Sequence, residues 1–229
     1  MRLSARHDAR RSQLTFPEKL MTMGIPMIRG KSFFKSLPFG FIASLLLMPP
    51  LSAENSRVLL RTEYGDLLIE VYADQAPVTS NNFLRYVDAG LYDGTVFHRT
   101  VTPFNQPNDA VRIEVLQGGM IPRESSFPPI EHETTDQTGL RHCDGAVSMA
   151  RLAPGTAASS FFICIGEQPE LDFGGRRNGD GQGFAAFGRV IEGMEVVRTI
   201  HAGPAERQQL RPPVIILFIV RIQEQHHSK

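Results

Sequence analysis

Eight short segments with the residue pattern of β-strands limit what this chain can fold into. Val, Ile, Leu and Phe recur in them, turn-forming residues separate them, and only the last is longer than seven residues. They lie at 58–62, 67–72, 95–101, 111–116, 145–149, 160–165, 184–190 and 214–222. Many short strands with frequent turns favour a closed barrel or a sandwich. We therefore expect a mainly β fold, which begins with a hairpin of the first two segments.

Two segments favour helices instead. Pro77 suits the first turn of a helix over 77–89. Three larger residues recur on one face of this helix, namely Phe83, Tyr86 and Val87. A second, shorter helix is expected over 194–200.

The first 53 residues differ in charge from the rest of the chain. They carry eight basic and two acidic side chains, a net charge of +6, whereas residues 54–229 carry a net charge of −6. The basic stretch is followed by an apolar run over 39–48, two prolines and the small residue Ala53, which is the order of a secretory signal. The apolar run is about half the ~20 residues that a membrane-spanning helix needs.

We therefore interpret 1–53 as an N-terminal extension with a bacterial secretory signal, and 54–229 as one exported domain. Cleavage after Ala53 would leave a periplasmic protein whose mature form has no membrane span. An uncleaved segment that anchors the protein at its N-terminus is the alternative. A start at Met27 would give a signal of ordinary length.

Composition excludes several classes of function. The chain has 24 Lys and Arg and 24 Asp and Glu, so no nucleic acid is expected as a partner. Cys143 and Cys164 are too few for a disulfide scaffold, and their spacing fits neither a redox motif nor a zinc site. A disulfide between them stays open, although a buried apolar thiol is favoured for Cys164. The Gly-rich stretch 174–183 matches no phosphate or calcium loop, and no Gly-x-Ser-x-Gly motif indicates a hydrolase.

Four groups of residues resemble, in this order, the cyclophilin-type peptidyl-prolyl isomerases. They are Val96-Phe-His-Arg99, Gln117-Gly-Gly119, Ser148-Met-Ala150 followed by 159–163, and Leu171-Asp172 with 187–194. The resemblance covers 58–222 and implies an eight-stranded antiparallel β-barrel capped by two helices. It also implies isomerisation of X-Pro peptide bonds in unfolded or loop segments of other proteins, without a metal or organic cofactor. A monomer is expected because the family is often monomeric.

The resemblance assigns the chemistry to Arg99 and Gln117. Twisting an X-Pro amide breaks its conjugation and returns a lone pair to the prolyl nitrogen, so a fixed cationic donor stabilises the twisted state. Arginine suits this role because it is always charged and planar. Arg99 matches the catalytic arginine of the family, and Gln117 matches the glutamine that binds the substrate backbone and steadies that arginine. His98 is expected to be structural, because the reaction needs no acid or base.

The same resemblance indicates which residues hold the proline and its neighbours. The substrate-binding candidates are Phe162, Leu171, Val115, Ala150, Phe104 and Phe184. Phe162 matches the phenylalanine of the proline pocket. Phe184 stands where the family has a pocket histidine. Phe104, from an insertion at 102–109, is the candidate for a second pocket phenylalanine that has no clear counterpart.

Three positions depart from the pattern of the family. Glu170 stands where many members have a tryptophan, which predicts weaker binding of cyclosporin-type drugs, while Arg151 and Ser160 replace an asparagine and a glutamine of the peptide groove. This altered groove motivates an alternative function, that of a peptide-binding chaperone or scaffold with a cyclophilin barrel and little turnover.

Overall fold

Nine β-strands make up most of the regular structure of the computed structural model, which describes residues 55–222. They are β1 (Ser56–Thr62), β2 (Gly65–Val71), β3 (Val96–Val101), β4 (Val115–Gly118), β5 (Ala146–Met149), β6 (Phe161–Cys164), β7 (Ala185–Glu192), β8 (Ala205–Glu206) and β9 (Gln209–Ile222). Eight of these strands close in the order β1-β2-β7-β5-β6-β4-β3-β9, with β9 paired to β1 and all neighbours antiparallel. The short β8 pairs with the start of β9. The expected closed antiparallel barrel is therefore confirmed.

The first hairpin follows from its alternating residue pattern. Every second residue is buried along both strands, namely Val58, Leu60, Leu67 and Ile69. Thr62 closes the turn, because its hydroxyl donates a hydrogen bond to the Gly65 carbonyl at 2.9 Å. Gly65 has a φ of 137°, a conformation that residues with a Cβ rarely adopt.

Helices cover the barrel at the two expected places. Helix α1 (Pro77–Asp88) contacts β7 and β9; α2 (Thr135–Thr138) is a single turn; and α3 (Met194–His201) contacts β2 and β4. The predicted face of α1 is buried. The ring of Phe83 lies 5.0 Å from that of Phe187 and meets that of Phe161 edge-on at 5.6 Å, so this face joins an aromatic core. Both predicted helices are confirmed.

Several short elements were not predicted, and two predicted strands are wrong at their beginnings: β4, and β9, which begins at Gln209 rather than at residue 214. The unpredicted elements are β8, α2 and 3₁₀ turns at Arg123–Ser125 and Pro169–Leu171. Strand β4 begins at Val115 rather than at residue 111. Gln106 explains the difference, because its buried side chain donates to the Ile113 carbonyl at 2.7 Å and accepts from the Ile113 amide at 3.2 Å. A side chain thus satisfies the backbone groups that a partner strand would otherwise pair.

The Gly-rich stretch and the two cysteines agree with the expectations from the sequence. The Gly-rich stretch 174–183 contains neither helix nor strand, as expected. Cys164 is buried, and both cysteines are free thiols. The predicted signal over 1–53 lies outside the described residues. Within 55–222 no helix is both long enough and apolar enough to cross a membrane.

Candidate active site

The guanidinium of Arg99 is held from two sides. Its Nη1 donates a hydrogen bond to Gln117 Oε1 at 2.8 Å. Its Nε and Nη2 both donate to Gln208 Oε1, at 2.9 and 2.6 Å. Gln117 lies on β4 and Gln208 lies in the turn between β8 and β9, so two separate elements fix the guanidinium plane.

Strand register places Arg99 in one row with residues of three other strands. Arg99 is opposite Gln117, Gln117 is opposite Phe162, and Phe162 is opposite Ser148. Directly opposed residues of antiparallel strands project from the same face of the sheet. The row therefore sets a cation, an amide and an aromatic ring side by side.

The amide of Gln117 has a fixed orientation. Its Nε2 donates to Ser160 Oγ at 3.1 Å, and the Ser160 hydroxyl donates to the Gly118 carbonyl at 3.1 Å. The amide oxygen is thereby turned towards Arg99. Ser160, which replaces a groove glutamine of the family, thus fixes the amide of Gln117, and this amide in turn holds Arg99.

The electrostatic surroundings of Arg99 are partly desolvated and carry a second cation. Burial lowers the pKa of Arg99, nearby Arg177 lowers it further, and Asp109 opposes both effects. Arg177 is itself held by Asp109 at 3.0 Å and by the Val111 carbonyl at 2.7 Å. Arginine stays protonated at neutral pH. Its charge therefore acts at short range in an environment of reduced dielectric constant, where electrostatic interactions are stronger.

An apolar cluster surrounds Phe162. Its buried members are Val101, Ile113, Val115, Ala146, Phe162, Cys164 and Leu171, and the half-buried Cys143, Ala150 and Phe184 pack against them. The ring of Phe184 meets that of Phe162 edge-on, with 5.3 Å between the ring centres. Such a surface beside a fixed cation can bind an apolar ring whose nitrogen faces the cation.

Five of the six predicted substrate-binding residues meet in this cluster, namely Phe162, Leu171, Val115, Ala150 and Phe184. Phe104 does not, because it lies on the loop over 102–109 with its side chain 92% exposed. The structure thus corrects the placement of Phe104. Val101 and Ile113 supply further apolar side chains, since β3 and the segment held by Gln106 carry them into the cluster.

A buried polar network behind Phe162 was not predicted. His142 Nδ1 donates to Asp172 Oδ1 at 2.8 Å, which leaves Nε2 to accept from the Ser148 hydroxyl at 2.9 Å. Burial raises the pKa of Asp172, but the hydrogen bonds from the side chain and backbone amide of His142, together with the charge of Arg141, outweigh it and the net shift is downwards. The His142 ring stacks on Phe162 with 6.0 Å between centres. Ser148 and Asp172 belong to two of the motifs, but their connection through His142 needed the fold.

A groove adjoins this cluster at Ala150. The cavity has a volume of about 700 Å³. The residues that line it include Gln117, which is bonded to Arg99, together with Ala150, Ser160, Met120 and Phe127. Its mixed polar and apolar walls suit an extended peptide.

Two of the unusual groove residues are bound to other parts of the protein. Glu170 pairs with Arg176 at 2.7 Å. Arg151 donates two hydrogen bonds to Asp180, at 2.7 and 2.9 Å, and lies 5.3 Å over the Phe184 ring. Arg151 lowers the pKa of Asp180 to about 2, helped by the backbone amide of Gln182. Arg151 thus ties the Gly-rich loop to the wall of the cluster.

His98 is partly buried and precedes Arg99 in the sequence. Burial lowers its pKa, and its buried Nδ1 has no hydrogen-bond partner among the described residues. Nothing in this placement assigns it an acid–base role. No group of three or more His, Cys, Asp and Glu side chains within 55–222 is arranged to hold a metal ion.

Comparison with known proteins identifies relatives of this chain. Residues 57–220 match the family model described as cyclophilin type peptidyl-prolyl cis-trans isomerase/CLD. The chain is 34% identical to peptidyl-prolyl cis-trans isomerase A of Dickeya dadantii, over 70% of this chain and 82% of that protein. It is also 34% identical to isomerase B of Escherichia coli, over 62% and 82% of the two chains. A crystal structure of a cyclophilin type isomerase from Cryptosporidium parvum is similar in fold, with a TM-score of 0.57 and 25% identity over 75% of this chain and 99% of that chain.

Proposed function

Since this chain belongs to the cyclophilin-type peptidyl-prolyl cis-trans isomerases and has their activity, we propose that Arg99, oriented by Gln117, catalyses the rotation of the X-Pro bond. The observation that carries this assignment is the cross-strand row of Arg99, Gln117 and Phe162. The row places a cationic donor, the amide that orients it and an apolar ring next to one another.

The reaction needs stabilisation of a twisted amide. Partial double-bond character gives the X-Pro bond a barrier of ~18–20 kcal/mol, and no covalent bond has to break. As the bond twists, the prolyl nitrogen becomes pyramidal and regains its lone pair. A donor that hydrogen-bonds this lone pair binds the twisted state better than either planar state, and only such differential binding increases the rate.

Arg99 can supply that donor. Its charge is partly desolvated, and two glutamine oxygens hold its plane, so little reorganisation is needed when the lone pair forms. A hydrogen bond to a charged group is worth about 1.5–3 kcal/mol, which corresponds to roughly ten- to hundredfold in rate.

The substrate is held on both sides of this cation. We assign the proline ring to the cluster of Phe162, Leu171, Val115 and Phe184, and the adjoining peptide to the groove at Ala150 and Ser160. A second solved structure supports this choice of substrate, because the Cryptosporidium isomerase was also crystallised in the presence of the dipeptide Ala-Pro. Proline-containing unfolded or loop segments are the proposed clients.

Replacement of the arginine tests the assignment. Arg99→Ala is expected to lower kcat/KM on a short X-Pro peptide by about ten- to hundredfold, because the prolyl lone pair loses its donor. Proline isomerisation can be followed by a protease-coupled assay, and thermal melting verifies that the variant folds. Arg189→Ala is the matched control, because Arg189 is exposed on β7. Equal rates for Arg99→Ala and the native protein would contradict the assignment.

We further propose that residues 1–53 form a bacterial secretory signal and that the isomerase acts in the periplasm as residues 54–229. The +6 charge, the apolar run over 39–48 and Ala53 at the end support this proposal. Expression of the whole chain in a bacterium, followed by fractionation and N-terminal sequencing, is expected to give a periplasmic protein that begins at Glu54. A product that keeps the apolar run and stays with the membrane fraction would favour the anchored form.

A further inference from the structure

A second cavity lies beside Gln208, which binds Nε and Nη2 of Arg99, whereas the groove lies beside Gln117, which binds Nη1. The volume of this second cavity is about 1060 Å³. One wall is the insertion with Phe104 and Asn105, and the other is formed by Arg207 and Gln208 of the turn and by Arg211 of β9. These residues belong neither to the apolar cluster around Phe162, called the proline cluster because the proline ring is assigned to it, nor to the groove.

Arg99 connects the two cavities through its hydrogen-bond acceptors. Gln117 lines the groove, whereas Gln208 lines the second cavity. Both amides bond to the same guanidinium. A peptide whose proline nitrogen faces Arg99 therefore has one cavity beside each of the two glutamines that hold the guanidinium.

Hydrogen bonds hold the walls of the second cavity in place. Asn105 Nδ2 donates to the Thr100 carbonyl at 3.0 Å, and the Thr102 amide donates to Asn105 Oδ1 at 2.9 Å. Gln208 Nε2 donates to the Asn105 carbonyl at 3.3 Å, and the Thr100 amide donates to the Gln208 carbonyl at 2.9 Å. The insertion and the turn are thus fastened to β3 and to each other.

The lining of this cavity is apolar at one point and basic at another. Phe104 is 92% exposed, although a large aromatic side chain is usually covered. Arg207 has a φ of 57°, a left-handed conformation that is strained for a residue with a Cβ, and it forms no ion pair within residues 55–222. Arg211 is 3.9 Å from Glu206, so these two charges partly cancel. The net charge of the lining is therefore positive.

We propose that this cavity binds the arm of the substrate that leaves the proline on the side away from the groove, and that it prefers an acidic side chain followed by an apolar one. Arg207 attracts the carboxylate, and Phe104 packs against the apolar residue. This inference rests on the proposed function of Arg99 and adds a sequence preference to it.

Peptide pairs that differ in one charge test the preference. One pair places Asp or Lys two residues after the proline (Ala-Ala-Pro-Ala-Asp-Leu and Ala-Ala-Pro-Ala-Lys-Leu), and a second pair places the same residues before it (Leu-Asp-Ala-Ala-Pro and Leu-Lys-Ala-Ala-Pro). Exchange rates from NMR give kcat/KM for each blocked peptide. In one of the two pairs, we expect kcat/KM of the Asp peptide to be about two- to fivefold higher than that of the Lys peptide, because an exposed ion pair contributes an effect of this size.

Charge reversal identifies the residue responsible. Arg207→Glu is expected to invert the ratio of the two peptides, whereas Arg189→Glu, the same charge change on β7, keeps it. Because each ratio is taken within one variant, an effect on Arg99 cancels. Phe104→Ser is expected to remove the advantage of a terminal Leu over a terminal Ser in the preferred pair.

The outcomes separate the two claims. An Asp-to-Lys ratio near one in both pairs, or a ratio that survives Arg207→Glu, overturns the assignment of the cavity. If the native protein fails to accelerate isomerisation of the short peptide Ala-Ala-Pro, the proposed function itself fails. Acceleration without any charge preference leaves the proposed function intact and rejects the cavity alone.

Discussion

At the scale of single residues, the position of Arg99 depends on two glutamines, of which only one lies in a sequence motif. Gln117 stands in a recognisable Gln-Gly-Gly turn. Gln208 follows Arg207 in a stretch without any motif, yet it accepts two of the three hydrogen bonds that hold the guanidinium. The role of Gln208 could not be predicted because it is 109 residues from Arg99 in the chain. The pairing of β9 with β3 brings the two side chains together.

Gln208 is therefore expected to act as a positioning residue. Gln208→Ala should lower kcat on a short X-Pro peptide by about tenfold with little change in KM, because the proline cluster stays intact while the guanidinium loses its orientation. Steady-state kinetics with Gln75→Ala as the control measure this effect, since Gln75 is exposed and lines neither the groove nor the second cavity. A loss confined to KM, or an equal loss in both variants, would contradict the positioning role.

At the scale of elements, alternating residue patterns predicted the strands of the barrel well, but they did not predict the structure of the segment between β3 and β4. Alternation was sufficient for β1 and β2, since each buries one face. The insertion after β3 was recognised, but the way Gln106 pins Ile113 was not. In that contact a side chain takes the place of a partner strand. A single side-chain contact of this kind produces no periodic pattern in the sequence that could reveal it.

The turn after β4 shows why its motif contains glycines. Gly119 has a φ of 67°, and a Cβ there would lie 2.5 Å from the Phe161 ring. A Cβ at Gly118 would lie 2.7 Å from the Phe97 ring. The aromatic core therefore approaches the backbone directly beside Gln117, and the motif reflects tight packing in addition to chemistry.

At the scale of the whole molecule, charge is divided between a basic segment and an acidic domain. Residues 54–229 carry a net charge of −6, yet the reaction is assigned to one cation. Arg99 and Arg177 lie near one another inside this domain, and Asp109 offsets their repulsion. Position, not the total charge, determines what Arg99 can do.

The pH dependence of stability follows from partly buried histidines. Burial lowers the pKa of His98 in the folded protein, a hydrogen bond to the Val96 backbone opposes this, and Arg99 adds to the lowering; burial likewise lowers the pKa of His132. Below about 6.5, the ordinary value, the unfolded chain takes up protons that the folded protein does not. This contribution to stability is complete above about pH 6.5 and is lost as the pH falls through the folded pKa.

We therefore expect the free energy of unfolding to fall as the pH is lowered below about 6.5. His98→Asn should make the fall shallower without abolishing it, because His132 still titrates. Urea unfolding at several pH values measures both slopes. Identical slopes in the native protein and the variant would show that His98 does not contribute.

The sequence by itself determined the strand-rich fold and the two helices, and it nominated Arg99, Gln117 and Phe162 as site candidates, because alternation, helix periodicity and short motifs are local properties. Tertiary structure alone decided which distant groups meet these residues. It brought Gln208 to Arg99, linked Ser148 to Asp172 through His142, and left Phe104 outside the proline cluster. The physical reason is that closure of the barrel fixes contacts between residues far apart in the chain, and no local pattern encodes such contacts.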